Sequence, residues 1–217
     1  MNREPRIQRY GLSERLVHTV AGLSYLYLLL TGLAFWTPAL FWLAIALGGG
    51  FLSRLLHPWV GLLFTAAVIA MLAAWRRDMR TTAEDRRWRQ AIGRYIRNED
   101  SLVPGAGRFN YGQKTFFWLM VWAGLALVLS GVVMWFVDSI PPELHVVRTA
   151  ATLIHAVAAL ATIGGFIVHV YMGVAVVPGG LDAIVHGEVS EEWARHHHPL
   201  WFAEMQSTKG SRERRSS

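Results

Sequence analysis

No cysteine occurs among the 217 residues, and that absence removes iron–sulfur clusters, covalently attached c-type haem and thiolate-held metal from what the chain can carry. Charge is missing over long stretches. Leu16 to Phe41, Pro58 to Trp75, Thr115 to Val137 and Thr149 to Leu181 contain no Asp, Glu, Lys or Arg. Each reaches or approaches the roughly 20 residues that cross about 30 Å of hydrocarbon. Polar intervals are scarce too. The longest, Arg76 to Lys114, leaves little room for a second domain, so residues 1–217 read as one membrane domain.

The patterning predicts an all-α integral membrane fold with four transmembrane helices at roughly 14–37, 53–76, 113–137 and 147–178. Ser53 is placed to cap the second. Residues 84–98, with Trp88, Ile92, Tyr95 and Ile96 at helical spacing among arginines, read as a surface helix held by anionic lipid or a partner protein. The tail, 179–217, is expected to end in a polar disordered stretch. No internal repeat stands out. The first apolar run has full spanning length and no small-residue cleavage site after it, so it is expected to remain in the mature protein.

A net charge of +6 could signal nucleic acid, but the cations are sorted by loop. Arg3, Arg6, Arg9 and Arg15 precede the first span; ten lie between Arg76 and Lys114; Arg195, Lys209, Arg212, Arg214 and Arg215 follow the last; the other two connections hold only Arg54 and Arg148. The positive-inside rule then predicts cytoplasmic termini and a cytoplasmic central loop, with no nucleic-acid partner.

Histidines are rare guests in hydrocarbon. His155 and His169 lie fourteen positions apart, a rise of roughly 21 Å and a rotation that leaves them about 40° apart on one helix face. Under the predicted topology His57 shares the outer layer with His155, and His18 shares the inner layer with His169. Two imidazoles per layer suit the axial positions of a porphyrin iron, whereas zinc or copper would want further ligands. Gly22, Gly61 and Gly173 each follow a histidine by four residues, with Ala159 in the equivalent place after His155; small residues there leave clearance for a macrocycle. Arg54 and Arg148, the only outer cations, are candidates for haem propionates. His145, His186 and His196 to His198 read as partner-contacting or solvated.

"RLLHPWVG" (Arg54 to Gly61), "FNYGQK" (Phe109 to Lys114), "LIHA" (Leu153 to Ala156), "HVYMG" (His169 to Gly173) and "WARHHHPLW" (Trp193 to Trp201) together resemble the gamma, or cytochrome b, subunit of respiratory membrane-bound formate dehydrogenases over nearly the whole chain. The one departure is Phe109, where that family suggests tyrosine. The resemblance implies a four-helix bundle enclosing two haem b groups, the outer held by His57 and His155 and the inner by His18 and His169. It implies a quinone site formed by Asn110, Gly112, Gln113 and His169, although helix capping also accounts for Asn110 and Gln113. Implied partners are an iron–sulfur beta subunit and a molybdenum- or tungsten-containing catalytic alpha subunit, with menaquinone or ubiquinone as the electron acceptor. The chain would sit in the bacterial inner membrane and pass electrons from outer to inner haem without itself oxidising formate, so it has no catalytic residue of its own. The rival readings are the di-haem cytochrome of a nickel–iron hydrogenase or another periplasmic dehydrogenase, and a haem-free membrane anchor.

Overall fold

The structure, a computed structural model, describes residues 5–97 and 103–216. Among the described residues four helices are long and apolar enough to cross a membrane: α1 (Leu12–Trp36), α3 (Gly50–Trp75), α6 (Tyr111–Trp135) and α7 (His145–Tyr171). Between the first two lies the short α2 (Trp42–Ala46), and α4 (Ala83–Gln90) and α5 (Ile92–Ile96) follow α3. After α7 come α8 (Gly180–Val185), α9 (Glu191–His197) and α10 (Pro199–Ser216). Two short strands, β1 (Arg6–Gln8) and β2 (Glu188–Ser190), pair antiparallel with Ile7 opposite Val189.

The chain forms two compact units. One comprises Ser13–Ala74 and Trp118–Val168. Its core is a cluster of Ala21 and Tyr25 from α1 with Phe64 and Ala67 from α3, against which Met120 of α6 and Phe166 of α7 pack, so all four long helices share it. Their remaining faces are apolar and bare: Leu23, Leu63, Leu129 and Val157 are each more than half exposed. In water such surface would drive association; in hydrocarbon it is the solvent-facing side, and the helices satisfy their backbone groups internally. The protein is an integral membrane protein.

The other unit comprises the N-terminal arm, Trp75–Phe117 and His169–Ser217. Here β1 and β2 tie the arm to the tail, and Tyr10, Trp75 and Phe109 form an aromatic cluster with centroids 5.5–6.2 Å apart. Arg9, only 3% exposed, lies over the Trp201 ring at 4.4 Å and donates from Nη2 to the Arg108 carbonyl. Phe109 therefore serves as a stacking surface for Tyr10 and Arg9, a place in which a phenolic hydroxyl is not needed.

Several expectations are revised. The second long helix starts at Gly50, and Ser53 is fully buried in its first turn, its backbone N–H bonding the Gly49 carbonyl, so Ser53 is not the cap. The expected surface helix is two helices, α4 and α5, broken at Ala91; Asn98 lies outside the described residues. Trp88 faces inward at 4% exposure, 6.2 Å from the Tyr111 ring, which leaves Ile92 and Ile96 on the exposed side. The tail end is helical from Pro199 to Ser216. Proline suits a first helical position, and Glu204, Met205, Gln206 and Lys209 are good helix formers.

Candidate functional site

His57 and His155 lie in the same unit, on α3 and α7, and both are half-buried. His57 directly precedes Pro58, which has no N–H and therefore leaves the Arg54 carbonyl without its intrahelical donor. The His57 ring is flanked by Phe35 at 5.5 Å, and its Nδ1 meets Thr31 Oγ1 at 2.7 Å. His155 Nδ1 meets Ser130 Oγ at 3.0 Å.

His18 lies on α1 in the same unit as His57, and His169 belongs to the other unit. Both are half-buried. The imidazole of His169 lies flat against Phe116, with centroids 4.4 Å apart and planes 5° from parallel. Directly after His169 and the end of α7 comes a π-helical turn, Met172–Val176, a local widening that recurs at functional sites.

A side chain added at Gly22 or Gly173 would meet nothing within 4 Å, and one at Gly61 would only touch Leu28 at 4.0 Å. Each of these glycines stands one turn from its histidine, so there is open space where a flat group held by that histidine would extend. Arg148 lies seven positions before His155, nearly on the same helix face. Its Nη2 donates to the Ile140 carbonyl, while its Nε is buried with no partner among the described residues. A carboxylate would satisfy it. Arg54 is exposed. Among the described residues no group of three or more His, Asp or Glu side chains could hold a bare metal ion. The residues present suit a flat, acid-bearing group taken up between paired imidazoles, as haem is.

The head of α6 carries the remaining candidates. Asn110 Oδ1 accepts from the Gln113 backbone N–H and Gln113 Oε1 accepts from the Asn110 backbone N–H, both at 2.9 Å. This reciprocal pair closes the helix start. It uses the amide oxygens and leaves the NH₂ groups to donate elsewhere. A Cβ at Gly112 would sit in ordinary contact with Asn110 Oδ1 at 3.4 Å and the Trp88 ring at 3.7 Å. Gln113 is one turn before Phe116, the residue stacked on His169, so Asn110, Gly112, Gln113 and His169 share one end of one unit. Beside them Asn110 lines a cavity of about 130 Å³, walled also by Asp85, Trp88, Lys114 and Leu200. Lys114 and Asp85 form a buried ion pair at 2.7 Å.

Sequence reasoning missed Thr31, Ser130, Phe116 and His198. His198 is 2% exposed and not solvated; its Nδ1 donates to the Gly107 carbonyl at 2.7 Å, and Arg9 Nη2 sits 3.4 Å from its Nε2. The neighbouring Trp193 and Trp201 were its only sequence signal. By contrast His186 is exposed beside Asp182.

Four spanning helices with half-buried imidazoles among them define a helical integral membrane protein. The chain belongs to the prokaryotic cytochrome b561 family, whose model matches residues 9–187. It is also similar to the cytochrome b556(fdo) subunit of formate dehydrogenase from Escherichia coli K12, at 33% identity over 96% of this chain and 97% of that one. A formate dehydrogenase cytochrome b556 subunit from Haemophilus influenzae is 31% identical over 94% of this chain and 85% of its own length. The nitrate-inducible formate dehydrogenase cytochrome b556(Fdn) subunit of E. coli K12 is 29% identical over 98% of both chains.

Proposed function

We propose that this chain is the di-haem cytochrome b subunit of a respiratory formate dehydrogenase in the bacterial inner membrane. It takes electrons from an iron–sulfur partner on the periplasmic side, itself fed by a molybdenum- or tungsten-containing catalytic subunit, and delivers them to menaquinone or ubiquinone at the cytoplasmic side. The termini and central loop are cytoplasmic, on the arginine distribution. The observation that carries the reading is that His57 and His155, on two spanning helices of one unit, are both half-buried, with room beside Gly61 one turn from His57; the near full-length similarity to formate dehydrogenase subunits favours this donor over hydrogenase.

Haem b, when bound, supplies a one-electron iron site. The chain's residues do the rest. His57 and His155 hold the outer group, His18 and His169 the inner one, and Arg148 and Arg54 are the cations for the outer group's propionates. Asn110 and Gln113, their oxygens committed to the helix start, turn NH₂ donors towards a quinone carbonyl, and Gly112 leaves the approach open. Phe116 holds the His169 plane next to that site. Moving an electron inward works against the membrane potential by roughly 2.3 kcal/mol per 100 mV, which a low-potential donor such as formate can drive.

Reduced-minus-oxidised spectra of the purified complex test this. Parent protein should show two b-type components. His57→Ala should remove one and His169→Ala the other, with quinone reduction lost in both. Retention of both components in either variant would overturn the assignment, a large subunit related to hydrogenase would change the donor, and no haem bands at all would leave a haem-free anchor.

A further inference from the structure

Each histidine assigned to the outer layer is met at the same ring atom by a hydroxyl from a neighbouring helix. Thr31 Oγ1 of α1 lies 2.7 Å from His57 Nδ1, and Ser130 Oγ of α6 lies 3.0 Å from His155 Nδ1. A hydroxyl owns one hydrogen. In both cases the residue's own helix claims it: Thr31 Oγ1 bonds the Tyr27 carbonyl at 2.8 Å and Ser130 Oγ the Ala126 carbonyl at 2.6 Å. A carbonyl only accepts, so the hydrogen goes there and the oxygen lone pairs face the imidazole.

An imidazole that donates from Nδ1 while neutral has a bare lone pair on Nε2. Both hydroxyls are shut away, Thr31 at 0% and Ser130 at 5% exposure, so water does not compete for the contact. Each is followed by a glycine on the histidine's side: a Cβ at Gly32 would come 3.9 Å from His57 Cε1, and one at Gly131 3.4 Å from His155 Cε1. The arrangement is built twice, Thr31-Gly32 with Trp36 on α1 and Ser130-Gly131 with Trp135 on α6.

We propose that Thr31 and Ser130 are the positioning residues of the outer haem. They fix His57 and His155 in the Nδ1–H tautomer, present both Nε2 atoms to iron, and through the Nδ1–H···O bonds make the imidazoles more electron-donating. That stabilises the ferric form and holds the outer potential low. The inference rests on His57 and His155 being axial ligands; it adds what orients them.

Potentiometric titration of the intact complex, followed optically, tests it. The outer component is the one that His57→Ala removes. Thr31→Val and Ser130→Ala, which delete the acceptor, should each shift its oxidised-to-reduced ratio at a fixed potential roughly tenfold towards the reduced form, a rise of about 59 mV for one electron. The inner component should stay put. Thr31→Ser and Ser130→Thr keep the hydroxyl and should behave as the parent. If Thr31→Val or Ser130→Ala loses the outer haem altogether, retention in the hydroxyl-keeping variant still supports the role, and loss in both overturns it. An unshifted outer potential with two haems present overturns it while leaving the function standing, whereas a parent complex without b-type bands removes both.

Discussion

At the scale of single residues, the unit built from the arm, the central loop and the tail is set by charges and rings withdrawn from water. His198 is the sharpest case. Burial first, and the Arg9 guanidinium second, lower its pKa from 6.5 to about 3, although the Gly107 carbonyl hydrogen bond works the other way. The folded chain thus keeps His198 neutral where the unfolded chain takes up a proton. Its contribution to stability is complete above about pH 6.5 and is lost progressively as pH falls towards 3. Proteolytic susceptibility around residues 105–109 should rise over that interval. In His198→Phe the pH dependence should flatten, while stability at pH 7 falls by about 1–3 kcal/mol because the Gly107 carbonyl loses its donor. The Lys114–Asp85 pair makes a second residue-scale prediction. Lys114 Nζ also donates to the Arg80 carbonyl, and Asp85 Oδ2 receives the Thr82 N–H. Lys114→Met strands a buried carboxylate and should cost about 3–5 kcal/mol in denaturant titrations of the detergent-solubilised protein.

At the scale of elements, helix starts and turns place the candidate groups. The Asn110–Gln113 box both begins α6 and presents two amides, so capping and ligand binding are not alternatives at this site. Substitution can separate them. Asn110→Ala should lower stability by about 1 kcal/mol. Asn110→Asp and Gln113→Glu keep the accepting oxygens and remove the NH₂ donors; thermal unfolding should match the parent while quinone reduction slows. Equal quinone kinetics in parent and both acidic variants would remove the amides from the proposed site. The Thr82–Asp85 capping box starts α4 in the same manner, with Asp85 accepting the Thr82 N–H at 2.7 Å. Its carboxylate is shared with Lys114 of α6, so the start of α4 is tied to the first turn of α6.

At the scale of the whole molecule, the four-helix unit is joined by a small core around Tyr25 and Phe64 and leaves open space beside Gly22 and Gly61. A ligand that binds only the folded chain adds stability by mass action, about 2.7 kcal/mol at a hundredfold excess over its dissociation constant. Protein from haem-starved cells should therefore unfold at lower temperature than haem-replete protein, with the greatest loss of hydrogen-exchange protection around Gly22 and Gly61. Identical melting would mean that haem is not filling this space. Read along the chain, the sequence set the four spans, because charge is costly in hydrocarbon and its absence over twenty residues has few other uses. It singled out the four membrane histidines for the same reason. It could not reveal that Thr31 and Ser130 meet His57 and His155, since Thr31-Gly32 and Ser130-Gly131 look like ordinary small-residue packing until another helix brings an imidazole to them. Nor could it show that Trp88 and His198 point inward, or where α4 breaks. Such features depend on contacts between residues distant along the chain, and hydropathy read along a line carries no information about which faces meet; only the folded backbone supplies that.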